Sequence, residues 1–155
     1  MMKTLIISLL ATGLLAVATE KQSKNDKPIS MKMNAGIITP KLSETKEFYT
    51  SILGFTVKFE NEWFVLLQCP GGEDMISFLQ PGHPSQQPVF QAAFPGKGVY
   101  LTIEVEDVDE VYEKIKKKRI PIEVELRNET WGDRHFAIVD PNGIGVDIVT
   151  YTAPQ

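Results

Sequence analysis

The sequence predicts an α+β fold made of two similar βαβββ modules. Two segments of helical periodicity repeat at a constant offset of 66 residues, which places Leu42 opposite Val108 and Ile37 opposite Ile103. Each helical segment is preceded by one strand-like segment and followed by three more. This repeated order indicates an internal duplication, in which each helix covers one face of its own sheet.

The first module spans residues 33–80. Segments rich in apolar and β-branched residues, bounded by turn formers, predict four strands, at 33–39, 56–60, 63–68 and 75–80. After the first strand, apolar side chains recur at helical spacing from Leu42 to Leu53. Ser43 is expected to cap this helix and Gly54 to end it.

The second module spans residues 98–151 and repeats the pattern. Its strands are predicted at 98–105, 122–126, 135–139 and 145–151. The helix between the first two strands begins with Asp107 and Glu110, which form a capping box, and Pro121 is expected to stop it. Between the modules, residues 81–97 are rich in Pro and Gln, so we interpret them as a connector that also serves as a flap over a cavity.

Residues 1–18 are interpreted as a secretory signal peptide. Lys3 gives a positive start, and the apolar run Leu5–Ala18 ends in the small-x-small pattern that signal peptidase accepts. The run is shorter than the roughly 20 residues that span a bilayer. A cleaved signal predicts export to the periplasm or the extracellular space, without stable membrane insertion. A retained N-terminal anchor and a later start, at Met31 or Met33, are the alternatives.

Residues 19–32 are polar and lysine-rich, and we interpret them as a flexible leader into a single domain at 33–151. Export implies an oxidising compartment. Because Cys69 is the only cysteine of the chain, no intramolecular disulfide can form, and stability has to come from packing.

The composition and the motifs exclude several functional classes. The formal net charge of −4 argues against a nucleic-acid partner, because phosphate binding requires a basic face. The sequence contains neither a Gly-x-Ser-x-Gly elbow nor a glycine-rich phosphate loop before a helix. Serine-hydrolase and nucleotide-dependent chemistry are therefore not expected.

Several motifs resemble the vicinal oxygen chelate superfamily, which includes glyoxalases, bleomycin resistance proteins and extradiol dioxygenases. The resemblance rests on the first-helix segments 42–49 and 53–55, the start of the second module at 103–111 and the Asp-Pro-Asn-Gly turn at 140–143. In addition, residues 131–136 are similar to a segment common in one subgroup. The resemblance implies a U-shaped mixed sheet around a cavity, with the helices on its outer face, and a homodimer. It does not imply one activity, because the superfamily contains both enzymes and drug-binding proteins.

Metal-dependent members of this superfamily place His, Gln or Glu at four inward-facing strand positions. In this chain those positions fall on Asn34, Ser77, Tyr100 and Asp147, of which only Asp147 is a good ligand. We therefore expect no metal and no other cofactor. His135, at a strand start, is expected at the surface or in the pocket wall.

The same four positions are still expected to face the cavity. Further cavity-facing candidates are Trp63 and Trp131 as aromatic walls and Arg134 as an anion-binding group or the partner of an acid. We therefore predict a metal-independent protein that binds a small molecule of unknown identity. The alternatives are a glyoxalase-like lyase or isomerase, a dioxygenase-type metalloenzyme with atypical ligands, and a dimeric interaction module with a collapsed pocket.

Overall fold

The computed structural model describes residues 30–152, so the predicted signal peptide lies outside the described residues. The helices are α1 (Leu42–Glu47) and α2 (Val108–Lys117). The strands are β1 (Ala35–Ile38), β2 (Thr56–Glu60), β3 (Phe64–Gln68), β4 (Met75–Leu79), β5 (Tyr100–Glu104), β6 (Val124–Asn128), β7 (Asp133–Val139) and β8 (Gly145–Tyr151). No helix in this part of the chain has the length and apolar character needed to span a membrane.

The strands form two four-stranded mixed sheets, one in each module. Sheet A has the order β1-β4-β3-β2 and sheet B has the order β5-β8-β7-β6. In each sheet the first strand pairs in parallel with the last, and the other pairs are antiparallel. The predicted α+β fold of two βαβββ modules is confirmed. The hydrogen bonding nevertheless divides the mixed sheet that was expected into two halves, because β1 and β5 each pair on one side only.

The first helix differs from its prediction at its start and in its last turn, and it ends at the predicted residue. Ser43 lies inside α1, and Lys41 before it makes no side-chain capping bond, so the predicted serine cap was wrong. The helix continues as a π-helical turn over Phe48–Ile52, where the Thr50 hydroxyl donates to the carbonyl of Lys46 at 2.8 Å. Gly54 then takes a left-handed conformation with φ of 76° and ends the helix, as predicted.

The second helix begins as predicted. The Asp107 carboxylate accepts a hydrogen bond from the backbone N–H of Glu110 at 2.9 Å. The helix ends at Lys117, before Pro121 is reached, because Arg119 adopts a positive φ of 58°. The helix therefore ends four residues before the proline that predicted its end.

The two modules share one apolar core. Val65, Leu67 and Phe78 of sheet A and Phe136, Ile138 and Ile148 of sheet B all belong to the same buried cluster. Tyr49 after α1 and Tyr112 and Ile115 of α2 complete it. The core lies on the faces that the helices cover, so the opposite face of each sheet is left open.

The register relates the two modules residue by residue. Ser77 pairs with Gly36 and Leu66, and Asp147 pairs in the same way with Thr102 and Ala137. Ser77 and Asp147 therefore occupy equivalent positions on the open faces. The hairpins before them differ in length: the residue opposite Leu66 is Phe59, whereas the residue opposite Ala137 is Val124, so the β6–β7 hairpin is the longer one.

A polar junction joins module one to the β7–β8 turn of module two. We use this name for Thr39, Thr45, Tyr49, Asp140 and Asn142. The Tyr49 hydroxyl donates to the Asp140 carboxylate at 3.2 Å, and Asn142 donates to the Thr45 hydroxyl at 3.1 Å while its amide oxygen accepts from Thr39. Asp140 is 4% exposed and also accepts two backbone N–H groups of its own turn, at 2.8 and 2.9 Å. These directional bonds fix how the turn sits against the first helix.

Burial and the adjacent Asp140 carboxylate raise the pKa of the Tyr49 hydroxyl far above its ordinary value of 10.0. The unfolded chain releases this proton near pH 10, whereas the folded chain keeps it. Stability is therefore expected to fall as the pH rises above 10.

Substitution of Asp140 by alanine is expected to lower the free energy of unfolding by about 2–3 kcal/mol, because it leaves buried donors without an acceptor. Tyr49→Phe is expected to cost only about 1 kcal/mol, since the carboxylate keeps its backbone donors. The tyrosine variant should also lose less stability than the parent above pH 10. Urea unfolding at several pH values measures both effects, with Tyr151→Phe at an exposed position as the control. Parent-like stability in both variants would show that the apolar core alone holds the modules together.

Candidate functional site

The candidate site lies on the open faces of the two sheets. Strand side chains alternate between faces, so Phe136 and Ile138 point into the core and His135 and Ala137 point away from it. The register of sheet B places Asp147 beside Ala137, on the same open face. Because of this alternation, each predicted site residue within a strand lies either on the core face or on the open face.

A group of charged side chains occupies the open face of sheet B. His135 and Asp147 lie in contact, with 2.7 Å between the imidazole Nδ1 and a carboxylate oxygen. The other ring nitrogen lies 3.4 Å from Glu129, whose carboxylate accepts from Arg127 at 2.6 Å. We call these four residues, His135, Asp147, Glu129 and Arg127, the His135 group.

The bond to Asp147 sets the orientation of the imidazole. An ionised carboxylate only accepts hydrogen bonds, so Nδ1 carries the proton and donates it. The side chains of His135 and Asp147 are 15% and 25% exposed, so the pair is held in place and still reachable from solvent. An oriented imidazole next to a carboxylate can bind a polar ligand group or move a proton.

The sequence predicts His135 at the surface or in the pocket wall and predicts no role for Glu129 or Arg127. A signal for the pair was present in the sequence. The Asp-Pro-Asn-Gly turn at 140–143 fixes the register of the β7–β8 hairpin, which makes His135 and Asp147 diagonal neighbours on one face. Glu129 and Arg127 carry no such signal, because a bulge shifts the register between β6 and β7.

The open face of sheet A is apolar instead. Its accessible side chains include those of Phe59, Phe64, Leu66, Gln68, Met75, Ser77 and Leu79. The rings of Phe59 and Phe64 lie 6.0 Å apart, and Phe59 is 54% exposed. The polar side chains of Ser77 and Gln68 are engaged by backbone: the Ser77 hydroxyl donates to the carbonyl of Ala35 at 3.3 Å, and the Gln68 amide donates to the carbonyl of Gly72 at 2.7 Å. This face offers aromatic and aliphatic contact area with few polar groups.

Two of the predicted residues lie at the ends of strands. Asn34 precedes β1 and is exposed. Tyr100 begins β5, shares the face of Thr102 and is 70% exposed. Neither touches Ser77 or Asp147 through a hydrogen bond within residues 30–152. The four positions carried over from the superfamily are therefore not gathered into one cluster by direct contacts.

The two tryptophans lie in turns. Trp63 lies between β2 and β3, where it stacks on His83 of the connector, with ring centroids 4.3 Å apart. Trp131 lies between β6 and β7, is 62% exposed and donates to Asp133 at 2.8 Å. Both can offer a ring face or edge to a ligand at the border of an open face.

Arg134 lies on the helix-covered face, contrary to the expectation that it faces the cavity. It shares the strand parity of Phe136, so its guanidinium reaches α2 and donates to both oxygens of Asp109, at 2.6 and 2.5 Å. The bond to Arg134 lowers the pKa of the Asp109 carboxyl. The structure supports the alternative interpretation of Arg134 as the partner of an acid, which is Asp109.

The residues present do not fit a transition-metal site. Within residues 30–152 no three His, Cys, Asp or Glu side chains are placed to share a metal ion. Asp147, the best donor of the four carried-over positions, is engaged by His135, and the Ser77 hydroxyl is engaged by a backbone carbonyl. A catalytic metal usually needs three protein ligands that converge from different strands.

Comparison with known proteins agrees with this architecture. A family model described as the Glyoxalase/Bleomycin resistance protein/Dioxygenase superfamily matches residues 33–148. Bleomycin resistance proteins from Geobacillus stearothermophilus and Staphylococcus aureus are 31% identical to this chain over 104 residues, which cover 61% of this chain and 77% of theirs.

Two solved structures show the same fold at low identity. One is TnmS3, an antibiotic binding protein from Streptomyces sp. CB03234, with a TM-score of 0.65, 17% identity and coverage of 81% of this chain and 99% of the other. The second is a lactoylglutathione lyase from Agrobacterium tumefaciens, with a TM-score of 0.65, 21% identity and coverage of 80% and 96%. At these identities the likeness concerns the fold alone, because one fold hosts many activities.

The orientation of His135 can be tested without a ligand. In its neutral form the ring is expected to carry its proton on Nδ1, because Asp147 accepts there. Asp147→Asn should weaken that preference, which 15N chemical shifts of the ring nitrogens report. His83, the other histidine of the chain, serves as the internal control and should not change. An unchanged His135 tautomer in the variant would mean that Asp147 does not orient the ring.

Proposed function

The chain belongs to the glyoxalase/bleomycin resistance protein/dioxygenase superfamily, and from that premise we propose that it binds a small, partly aromatic molecule without a metal. The observation that carries this proposal is the contrast between the two open faces. Equivalent positions hold Ser77 in sheet A and Asp147 in sheet B, and Phe64 in sheet A and His135 in sheet B. One face supplies apolar contact area and the other supplies polar anchors, which together are the usual make-up of a small-molecule site.

The apolar open face of sheet A suits the flat part of such a ligand. Phe59 and Phe64 form an aromatic pair, and Trp63 lies next to Phe64 with ring centroids 5.8 Å apart. Aromatic rings bind flat ligands with little loss of conformational entropy, because few torsions are restricted. A ligand that stacks here would cover apolar surface that a single chain leaves partly exposed.

The His135 group suits the polar part of the ligand. Its two carboxylates accept hydrogen bonds, whereas Arg127 donates them, so the group can satisfy more than one kind of polar substituent. The relatives that support this class are named for bleomycin resistance and for antibiotic binding. We therefore propose an antibiotic-sized ligand that carries both a ring system and hydrogen-bonding groups.

We further propose that two chains form a homodimer in which the open face of sheet A in one chain lies opposite that of sheet B in the other. Phe59 at 54% exposure and Tyr100 at 70% exposure are large side chains left open by a single chain. Phe59 also lies beside Phe64 on the apolar open face of sheet A, and exposed apolar patches mark interaction sites. A cavity between the two faces would then be lined by the apolar side chains of sheet A and the charged side chains of sheet B.

Export remains part of the proposal, supported by the apolar run Leu5–Ala18 behind Lys3. A binding protein outside the cytoplasm would meet its ligand before the ligand enters the cell. The lack of a second cysteine is compatible with this location, because the fold then needs no disulfide pairing.

A second candidate function is a lyase or isomerase of the glyoxalase type. The oriented pair of His135 and Asp147 favours it, because such an imidazole can take a proton from a bound substrate and return it. The dioxygenase-type alternative has less support, since the residues present offer no convergent ligand set for a redox metal.

Binding is tested with bleomycin and a panel of aromatic antibiotics, read by thermal shift and by quenching of the two tryptophans. At least one compound is expected to bind, and His135→Ala and Asp147→Asn are each expected to weaken it by about tenfold, near the 1–2 kcal/mol of a hydrogen bond to a charged group. Glu44→Gln, which neutralises an exposed carboxylate on α1, is the matched control and should bind like the parent.

The same titrations are run on chelator-treated and metal-supplemented protein. Equal affinity in both supports metal independence. Stoichiometric zinc, iron, nickel or manganese in the natively purified protein, together with binding that requires it, would overturn that part of the proposal. Turnover of a thiol hemiacetal substrate that Asp147→Asn abolishes would favour the enzyme candidate.

The dimer is tested by sedimentation velocity. The parent chain is expected to sediment as a dimer at micromolar concentration, and Phe59→Glu is expected to shift it towards the monomer by placing a charge in an apolar interface. Ser43→Glu adds the same charge on the exposed side of α1 and should remain dimeric. A parent chain that sediments as a monomer would contradict the dimer and would not by itself contradict ligand binding.

A further inference from the structure

The contact between the two modules is polar at one end and lacks that polar network at the other. At one end the β7–β8 turn forms the polar junction with module one. At the other end the corresponding β3–β4 turn stands against module two. Equivalent backbone bonds of 2.9 Å close the two turns, from Cys69 to Asp74 and from Asp140 to Ile144. Cys69 is therefore the counterpart of Asp140.

A cavity lies at this second end, and we call it the seam cavity. Its wide part, of about 650 Å³, lies between the β3–β4 turn and strand β5. A narrower and more enclosed part, of about 320 Å³, continues towards α2. Both parts are lined by Phe55, Cys69 and Ile103, so they form adjacent regions of one space.

At the seam cavity the duplicated contact lacks the polar partners of the polar junction. In the polar junction the Tyr49 hydroxyl binds the Asp140 carboxylate. The counterparts are Ile115, 66 residues after Tyr49, and Cys69, and these two side chains have no hydrogen bond to offer each other. Val111 and Ile115 of α2 form the far wall, so the enclosed part is aliphatic.

The wide part has an acidic rim. Asp74, Glu104 and Glu106 line it, and no ion-pair partner for these three carboxylates is found within residues 30–152. The two lysines of the enclosed part are already engaged: Lys118 donates to the carbonyl of Ser51 at 2.5 Å, and Lys114 pairs with Glu110.

Cys69 belongs to the apolar wall of the cavity. Burial raises the pKa of its thiol, and the negative charge of Asp74 raises it further. The thiol therefore stays protonated and neutral at ordinary pH, as a small apolar surface.

We propose that the seam cavity is a second binding site, which takes a molecule with an apolar body and one ammonium group. The body lies against Phe55, Ile103 and Ile115, where it removes apolar surface from water. The ammonium group lies in the wide part, where the three rim carboxylates attract it. The body-binding part is distinct from the open faces, because Ile103 and Ile115 lie on the helix-covered side; Met75, Thr102 and Glu104 place the wide part at the edge of the open faces.

Such a ligand would also strengthen the contact between the modules. It touches β5 and α2 of module two and Phe55, Cys69 and Pro70 of module one. Because the cavity is part of the folded chain, a bound molecule stabilises the fold by mass action.

The test uses Cys69 as a built-in reporter, because it is the only thiol of the chain and lines both parts of the cavity. The rate of its alkylation by iodoacetamide, a neutral reagent, is followed by intact mass with octylamine, octanoate or butylamine present. Octylamine is expected to slow alkylation saturably. Octanoate should protect at least tenfold more weakly, and butylamine also roughly tenfold or more weakly, since each buried methylene contributes about 0.8 kcal/mol.

A matched pair of variants separates the charge from the cavity. Glu104→Gln with Glu106→Gln removes two rim carboxylates, and Glu44→Gln with Glu47→Gln makes the same change in net charge on α1. Protection by octylamine, taken as the ratio of rates without and with ligand for each protein, should fall several-fold in the first variant only. The melting temperature with octylamine should rise in the control variant and change less in the rim variant.

No protection by any of the three probes would overturn the seam site. Equal protection by octylamine and octanoate would overturn its preference for an ammonium group. Both outcomes are independent of the antibiotic titrations, because Cys69 reports on the seam and not on the open faces.

Discussion

The Asp140 carboxylate makes the contact on which the mutual arrangement of the two modules depends. Apolar burial draws the helix-covered faces together, but it is non-directional and does not fix how one module sits on the other. Asp140 does so because it is 4% exposed and accepts from its own turn and from Tyr49 of the other module. A buried polar group of this kind is tolerated only in the geometry that satisfies it. In a chain with a single cysteine, this network fixes the arrangement without an intramolecular disulfide.

Most of the fold could be predicted from the sequence because the duplication repeats its signals. The offset of 66 residues, the Asp107 cap and the Gly54 stop are local features, and they lead to the same element order in both modules. The serine cap failed because the backbone places Ser43 inside α1, a shift of two residues that side-chain preference alone does not resolve. The π-helical turn after α1 has no counterpart in a simple helical periodicity.

The candidate site was harder to predict, because it depends on which face each strand residue takes. Asp147 and Ser77 could be located by counting within a module. The face of Arg134 follows from the same register, because it precedes His135 in β7 and therefore points to the opposite side, but its bond to Asp109 on α2 has no signal in the sequence. The partners of His135 come from two other segments, the end of β6 and strand β8, so their meeting is a property of the folded sheet.

The longer β6–β7 hairpin is a place where module two can differ from module one. It carries Arg127, Glu129 and Trp131, whereas the buried residues that join the modules lie in other segments or on the opposite face. Insertions and substitutions at such an edge leave the core packing undisturbed. The segment 127–133 can therefore change in sequence while the core packing is kept, and Arg134, which binds Asp109 of α2, marks its boundary with the scaffold.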